Sequence, residues 1–507
     1  PGTGSGRGAA LRLRTDAAPT LRDVAVVDAE NIGVYVGDGT PLLDGVRVQR
    51  AGAEAFFLEL IADPTLQDIT AIDNAADRIT LVGGTLTEDR DYDFGGLPVH
   101  LTTDLSISAA ASVSLAAGSV LKFPTGGLLN IDGELTAVGT LTDPIVFTSI
   151  ADDTAGGDSN GDAAATAPQP GDWESVYVDN GAVLLEHVEV RYAGNAFTPT
   201  NACGRRAAID LTSDAAPVLR SVRVVDAENN GVYVAAGSPR LEGLTVERAG
   251  GDALYVELIA DPVYADIAAR DNRRNRIVWD TAGTLTSDRT WDVGSLPIEL
   301  TTNLSLGADA TLTLDPGTVI KLPTGALIAG GGTLLAQGTT EQPVVFTSST
   351  DDSVGGDSNG DGAATTGAPG QWEALYLDNP ASTLEHTQIR FAGNAFRPGN
   401  AAGLTAALQL RNDGSQSITD VQVRDVESIG VDVDAGTHTL ERVSVTRAGD
   451  EAFYFELAAN PTLIDVTAVD NVSDRITLVG GPLTEDRDYD FNGLPVHLTT
   501  AFRDAAV

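Results

Sequence analysis

The sequence predicts an all-β fold, a parallel β-helix of about twenty rungs, and two nested repeats are the main observations behind this prediction. A long unit of 198 to 199 residues recurs along the chain, and a unit of 22 to 23 residues recurs inside it. The third observation is the alternation of apolar and polar residues in the short unit, which is typical of strands with one buried face. Because most residues have a sister copy, repetition on this scale indicates architecture before catalysis.

The long repeat is visible where residues 9–16 (AALRLRTD) return as residues 207–214 (AAIDLTSD) and again as residues 406–413 (AALQLRND). The spacing is 198 residues and then 199 residues, and the motifs between these points keep the same order. We therefore expect one continuous solenoid made of three segments: residues 1–198, residues 199–397 and a partial copy, residues 398–507.

The short repeat is clearest in residues 19–26 (PTLRDVAV), 41–48 (PLLDGVRV) and 64–71 (PTLQDITA). Three short strands fit each rung of this length. Helical repeats are disfavoured because no apolar stripe of period 3.6 runs beyond a turn and because 55 Gly and 23 Pro interrupt the chain. The consensus of leucine-rich repeats is also absent. We expect rungs stacked about 4.8 Å apart in a rod about 100 Å long.

Composition and charge exclude several classes of function. The chain has 507 residues, 42% of them hydrophobic, and no run of about 18 apolar residues that could cross a bilayer. A formal charge of −41 opposes binding to DNA or RNA, which needs clustered Lys and Arg. One cysteine, Cys203, excludes an intrachain disulfide framework. The chain begins at Pro1 without a signal peptide, which indicates a mature, processed or partial chain.

The order of motifs resembles the right-handed parallel β-helix modules of secreted and cell-surface bacterial and archaeal proteins, within the pectin-lyase-like superfamily. Those modules combine a Trp-bearing strand, an LDPGTVIK rung, a PVVFTS strand, an acidic Gly/Asn/Asp loop and a GDW strand. The matching positions here are Trp291, 314–321, 343–348, 351–361 and 171–173. The resemblance covers about half of each long repeat strongly, and it implies right-handedness and an extracellular or cell-surface location. It implies no single activity, because the family is functionally mixed.

The most distinctive chemistry lies in an acidic loop that occurs twice, at residues 152–162 and 351–361. Its stretch GGDSNGD is identical in both copies, whereas the residues that follow differ. Oxygen ligands at alternate positions, with glycines that permit a tight turn, suit Ca²⁺. We therefore predict a structural calcium site in each loop, with these ligands: Asp152, Asp153, Asp158, Asn160 and Asp162 in the first copy, and Asp351, Asp352, Asp357, Asn359 and Asp361 in the second.

A metal-free interpretation of the same loop stays open. The loop is not an EF-hand, because neither copy has the Glu that closes such a site; Gln169 and Ala368 stand there instead. Asp and Asn side chains also bond their own backbone in Asx turns, which need no metal. Binding of Ca²⁺ distinguishes the two interpretations.

The function that fits these observations best is a non-catalytic extracellular structural protein, a calcium-stiffened β-helical rod within a surface filament or array. The edges of a stacked β-helix are unpaired at its ends, so we expect self-association end to end or contact with neighbouring repeats of a longer chain. A monomeric adhesin stalk that contacts a glycan or a cell surface is the first alternative. Membrane insertion is not expected.

A polysaccharide lyase or hydrolase is the second alternative, since parallel β-helices often carry such enzymes. These enzymes need a basic proton abstractor beside acidic residues, or facing carboxylates at fixed separations. The sequence nominates no convincing catalytic set. His100 and His497 correspond to one another, but Glu299 occupies the equivalent position between them, which argues against shared chemistry there.

Overall fold

The computed structural model describes residues 8–14, 18–179, 182–195, 207–212, 214, 216–294, 296–394, 405–480 and 489–499. Cys203 lies outside these residues. Within them every regular element is a β-strand, and none forms a helix that could span a membrane. The prediction of an all-β fold is confirmed.

Two compact units divide the chain: Pro1–Tyr255 with Ala260–Arg273, and Val256–Ile259 with Arg274–Val507. Both are parallel β-solenoids. In the first unit most strands pair in parallel with the strand three positions later, so that each coil contributes three strands, as the short repeat predicts. Sheets of eleven strands in the first unit and nine in the second confirm the expected number of about twenty coils.

The first unit has three faces and two short sheets at its first coils. One face is the eleven-stranded sheet of Ala9–Leu13, Ile32–Val36, Glu54–Leu58, Ala76–Leu81, Val99–Leu101, Val120–Phe123, Ile145–Ser149, Val188–Arg191, Arg223–Val225, Thr245–Glu247 and Ala268–Arg270. The next face holds Gly84–Leu86, Leu105–Ile107, Leu129–Ile131, Val176–Val178, Ala207–Leu211, Asn230–Val234 and Asp252–Glu257. The third holds Arg90–Tyr92, Ser112–Leu115, Glu134–Val138, Val183–Glu186, Val218–Arg220, Arg240–Glu242 and Val263–Ala265. The short sheets are Thr20–Arg22, Leu42–Asp44 and Thr65–Gln67, and Ala25–Val27, Arg47–Gln49 and Thr70–Ile72.

The second unit is built in the same way. Its nine-stranded sheet comprises Thr284–Leu285, Leu304–Leu306, Ile328–Gly330, Leu375–Leu377, Ala406–Leu410, Ile429–Val433, Glu451–Glu456, Ser473–Val479 and Val496–Thr499. The remaining strands are Arg274–Asp280, Arg289–Trp291, Ile298–Leu300, Thr311–Leu314, Val319–Leu322, Thr333–Gln337, Val344–Ser348, Thr383–Arg390, Ser417–Val426, Thr439–Glu441, Ser444–Ala448, Thr462–Ile464 and Thr467–Val469. The two longest of these, Thr383–Arg390 and Ser417–Val426, pair with each other along most of their length.

The apolar positions of the short repeat stack on one another inside the solenoid. Leu21 pairs with Leu43, and Leu43 pairs with Leu66, in adjacent coils. Leu43 and Leu66 are buried. Each repeat of the sequence pattern therefore adds one layer of apolar side chains to the core, and removal of these side chains from water stabilises the stack.

The long repeat does not contain a whole number of coils. Ala9–Leu13 lies in the eleven-stranded sheet, whereas its sequence counterpart Ala207–Leu211 lies on another face of the same unit. In chain order, the strand Ala207–Leu211 comes twenty-two strands after Ala9–Leu13. Because each coil uses three strands, one long repeat equals seven coils and one further strand. Side chains that are equivalent in sequence consequently project from different faces.

Three equivalent asparagines tie adjacent coils together through their side chains. Asn74 Oδ1 accepts a hydrogen bond from the amide of Ala51 at 2.8 Å, and its Nδ2 donates to the carbonyl of Val48 at 3.1 Å. Asn272 and Asn471 make the same pair of bonds. The side-chain amide thus replaces a backbone partner where the strands are interrupted.

Substitution of Asn74 by alanine should lower the free energy of unfolding by about 1–3 kcal/mol, because it leaves the buried amide of Ala51 without its acceptor. Urea titration followed by circular dichroism measures the change. Thr142→Ala, in an exposed loop, is the control and should change stability by less than about 0.5 kcal/mol. Equal effects of the two variants would contradict a structural role for the asparagine.

Candidate functional site

The candidate site lies over the outer surface of the eleven-stranded sheet, where side chains of successive coils form a row. Thr80 pairs with His100, His100 with Lys122, and Lys122 with Thr148. Alternation along each strand places this row on one face of the sheet, opposite the apolar residues that fill the core. The first acidic loop follows the strand Ile145–Ser149 and folds back over the row.

Glycines allow the loop to lie directly on the coils below it. A Cβ atom on Gly156 would come within 2.7 Å of Pro98, and one on Gly161 would come within 2.3 Å of the carbonyl oxygen of Ala75. Both glycines have positive φ, which other residues adopt at a cost. Close packing against the sheet is therefore one physical reason why GGDSNGD is identical in the two copies.

Buried lysines hold the loop backbone. Lys122 is fully buried, and its Nζ donates to the carbonyl oxygens of Asp152 at 2.8 Å and Gly157 at 3.1 Å. Burial lowers the pKa of Lys122 to about 8, against the opposing effect of nearby carboxylates, Asp152 foremost. Lys321 donates to the carbonyl of Gly356 at 2.7 Å in the second unit, and burial lowers its pKa as well. These are the only two lysines in the sequence, and both serve this purpose.

Three aspartates of the first loop come together above the lysine. One carboxylate oxygen from each of Asp153, Asp158 and Asp162 lies within 4.8 Å of the others. Burial, and then the charges of Asp158 and Asp162, raise the pKa of Asp153. One buried oxygen of Asp153 has no hydrogen-bond partner within the protein. The second unit repeats this cluster with Asp352, Asp357 and Asp361.

These two clusters, which we call the acid triads, could hold a metal ion. Like charges so close together repel one another, and a cation between them removes that repulsion. In the second triad, both carboxylate oxygens of Asp352 are buried without a protein partner, which leaves them available as ligands. The triads therefore fit a hard cation such as Ca²⁺, which binds oxygen ligands.

Asp152 and Asp351 were predicted as ligands, but the structure does not bring them into the triads. The carboxylate of Asp152 accepts from Thr148 Oγ1 at 2.7 Å and from the amide of Thr154 at 3.0 Å, and it lies 3.5 Å from Arg191 Nη1. Asp351 makes the same bonds with Thr347 and Ser353. Both carboxylates are buried and shape the start of the loop instead.

Asn160 and Asn359 were also predicted as ligands, and the structure uses them as turn residues. Asn160 Nδ2 donates to Asp162 Oδ2 at 3.1 Å, and its Oδ1 accepts from the amide of Asp162 at 3.2 Å. Asp158 accepts three backbone N–H bonds, from Gly161, Asp162 and Ala163. Asn359 repeats the bonds of Asn160. The Asx turns of the metal-free interpretation are present, and they also hold the acid triad in position.

Tryptophans anchor the far end of each loop. Trp173 is fully buried, stacks on Phe123 with ring centroids 4.4 Å apart, and donates from Nε1 to the carbonyl of Arg191 at 2.7 Å. Trp372 is buried and makes the same bond to Arg390.

Ser159 and Arg78 are contacts that sequence reasoning missed. Arg78 Nη1 donates to the carbonyl of Ser159 at 2.7 Å, and Ser159 Oγ lies 2.7 Å from His100 Nε2. Burial, reinforced by Arg78 and Lys122, lowers the pKa of His100 to about 2, so the imidazole is neutral. The one available signal was the position of Ser159 inside the invariant stretch GGDSNGD.

The second unit keeps the serine and changes its partner. Ser358 Oγ donates to Glu299 Oε2 at 3.4 Å, and Glu299 pairs with Arg276 at 2.6 Å. A carboxylate therefore replaces the imidazole while the loop keeps its place.

An open cavity of about 690 Å³ lies beside the first loop. Its lining includes Asn31, Phe57, Arg78, His100 and Asn160. Polar and aromatic groups thus meet next to the acid triad, in a space large enough for a small organic ligand.

Comparisons with known proteins give no family assignment. No protein-family model and no curated protein matches the sequence. Among solved structures, the PL6 family alginate lyase AlyGC aligns over 97% of this chain and 99% of that chain, with 7% identity and a TM-score of 0.16. An arginine-to-alanine mutant of that enzyme aligns over 92% and 98%, with 7% identity and a TM-score of 0.13. Likeness at this level carries no information about activity.

Replacement of Lys122 by methionine should change how stability depends on pH. The pKa of Lys122 falls from an ordinary 10.5 to about 8 on folding, so the unfolded chain binds more protons between these values. Stability from this group therefore rises as pH increases from about 8 to 10, and Lys122→Met should lack that increase. Thermal unfolding in the presence of a chelator, at pH 8, 9 and 10, measures it. Arg22→Met, at an exposed arginine, is the control, and parallel curves for wild type and Lys122→Met would contradict the prediction.

Proposed function

We propose that this protein is a non-catalytic extracellular structural protein, a β-helical element stiffened by calcium that forms part of a surface filament or array. The observation that supports the proposal is the recurrence of one device in both units: a buried lysine, an invariant loop and an acid triad. A mechanical element benefits from such repetition along its length, whereas an enzyme needs a single reaction centre.

The first loop would act as a strap across several coils. It leaves the strand Ile145–Ser149 and reaches Ala75, and on the way it contacts Pro98 and the side chain of Lys122. Coils that slide or separate must break these contacts. A cation held by Asp153, Asp158 and Asp162 would neutralise the mutual repulsion of the triad and so tighten the strap.

Calcium is the cation that the triads favour. Ca²⁺ accepts six to eight oxygen ligands in irregular geometry, while Mg²⁺ requires a nearly ideal octahedron. Asp158 and Asp357 are exposed, so water could complete the coordination. An extracellular location, implied by the resemblance to secreted β-helix modules, would supply calcium at the concentrations that weak sites of this kind require.

A second candidate function is a polysaccharide lyase or hydrolase, and the cavity beside Arg78 and His100 is the observation that favours it. The monomeric adhesin stalk that binds a surface or a glycan, the first alternative from the sequence, also remains a candidate. Both are distinguished from the structural polymer by the experiments below.

Isothermal titration with Ca²⁺ should reveal two sites per chain with dissociation constants of about 0.1–1 mM, the range of extracellular calcium modules. Asp153→Asn should remove one site and Asp352→Asn the other, and the double variant should bind none. These aspartates each have a buried carboxylate oxygen without a protein partner, so the turns of the loop persist in the variants. Asp143→Asn, an acid outside the triads, is the control. If millimolar Ca²⁺ produces no heat of binding, the predicted calcium sites are excluded.

Negative-stain electron microscopy and light scattering should show fibres in millimolar Ca²⁺ that shorten or fray after chelation. Loss of the cation restores repulsion within each triad and loosens the straps. The double variant Asp153→Asn and Asp352→Asn should behave like the chelated protein in both conditions. Single particles that chelation leaves unchanged would support the monomeric stalk instead.

Sugar release distinguishes the enzyme from the polymer. Wild-type protein incubated with acidic polysaccharides should release neither unsaturated nor reducing sugars. Release that is lost in Arg78→Ala would overturn the non-catalytic proposal and assign the cavity to catalysis.

A further inference from the structure

Prolines occupy the same corner of successive coils, at the start of each short repeat. The backbone hydrogen bonds there run from coil to coil: Leu42 N donates to Pro19 O at 2.9 Å, and Thr65 N donates to Pro41 O at 2.9 Å. Because proline has no N–H group, its own nitrogen needs no acceptor at this corner. The prolines are Pro19, Pro41 and Pro64 in the first long repeat and Pro217, Pro239 and Pro262 in the second.

The third long repeat has Gln416 and His438 at the first two of these positions, followed by Pro461. The bonds between coils are kept, since Thr439 N donates to Gln416 O and Thr462 N donates to His438 O. Gln416 is 1% exposed and His438 is 0% exposed. The exchange of proline for Gln416 therefore introduces a buried N–H group, which is costly unless it finds an acceptor.

The imidazole of His438 supplies that acceptor. Gln416 N donates to His438 Nδ1 at 3.1 Å. His438 Nε2 lies 2.8 Å from the carbonyl oxygen of Ala435 and 3.2 Å from that of Asn412. A backbone N–H only donates and a carbonyl only accepts, so these partners require the neutral tautomer with the proton on Nε2.

We propose that His438 is an acid-sensitive joint in the third long repeat. A proton taken up from solvent at Nδ1 turns this atom from an acceptor into a donor, so that it opposes the N–H group of Gln416. The hydrogen bond between the two coils then breaks, and a buried positive charge takes its place. The corner opens in acid, whereas the proline corners of the first two long repeats carry no group that titrates.

The surroundings of the imidazole favour its neutral form. Burial lowers the pKa of His438, against the hydrogen bonds to the carbonyls of Ala435 and Asn412, which favour the charged form. The next coil contributes no charged residue in the segment 457–463. None of the charged side chains nearby forms a hydrogen bond or an ion pair with the ring in the described part of the chain. Those on the segments around the ring are Asp378, Arg411, Asp413 and Asp434.

The sign of the pH dependence follows from the direction of this shift. Because folding lowers the pKa of His438 from its ordinary value of 6.5, the unfolded chain binds more protons below that pH. The stability that this group contributes is therefore complete above about pH 7 and is lost as the pH falls below about 6.5. The equilibrium constant for opening of the corner should rise about fivefold to tenfold between pH 7.5 and pH 5.5.

Hydrogen exchange of the full chain, followed by mass spectrometry at pH 7.5 and pH 5.5, tests the proposal. The segment 416–438 is compared with its counterparts 19–41 and 217–239, which are internal controls because they carry prolines at both ends. After correction for the intrinsic exchange rate, only the segment 416–438 should open about fivefold to tenfold more at the lower pH. A chelator in all samples removes any effect of cation binding. Equal pH dependence of the three segments would overturn the proposal.

Two variants separate the imidazole from the corner around it. His438→Gln keeps a donor and an acceptor on the side chain but does not titrate, so the segment 416–438 should open equally at both pH values. The double variant Gln416→Pro and His438→Pro restores the proline column of the first two long repeats and should also lose the acid response. His497→Gln, at an exposed histidine of the same repeat, is the matched control and should retain it.

The tautomer provides an independent readout. The ¹⁵N NMR signals of the His438 imidazole should show a protonated Nε2 and an unprotonated Nδ1 at pH 7.5. A doubly protonated ring at that pH, or an acid response that persists in His438→Gln, would contradict the joint. These outcomes do not depend on calcium or on fibres, so the joint and the proposed structural role stand or fall separately.

Discussion

Parallel pairing of successive coils in register is the constraint on which the rest of this structure depends. It places Leu21, Leu43 and Leu66 on top of one another inside the solenoid. It also places His100 beside Lys122 in a row on the outer surface. A residue type repeated every coil therefore becomes a continuous ladder, apolar inside and polar outside. Residues inserted between two strands of a coil cannot join this ladder without disturbing the register. The acidic loop therefore runs over the outer surface of the coils.

The buried lysine places a positive charge beneath the acidic loop. Lys122 directs its ammonium group to backbone carbonyls of the loop, and the carboxylates of the acid triad keep oxygen atoms available. The loop thus has one cation beneath it and, within it, a cluster of carboxylates that could hold a metal ion. Burial of the ammonium group is costly, and the nearby acids offset part of that cost. Both long repeats that contain the loop use this solution.

Comparison of the two copies of the loop shows which of its contacts are the same in both units and which differ. The serine stays, while its partner changes from His100 to Glu299, and the paired arginine stays as Arg78 or Arg276. The exchange of an imidazole for a carboxylate keeps the serine anchored, because both groups can form a hydrogen bond with a hydroxyl.

The sequence by itself determined the fold class, the three strands per coil and the position of both acidic loops. These features depend on local patterns: period-two alternation, the 22-residue spacing, and glycines beside acids. Only the tertiary structure decided that Asp153 joins the triad while Asp152 turns away, since adjacent residues of a loop point in directions that spacing does not specify. It also decided that Arg78 meets Ser159 from distant coils. Such contacts depend on the register of the stacked coils and on the path of the loop. Neither the register nor the path can be predicted from the sequence of one segment alone.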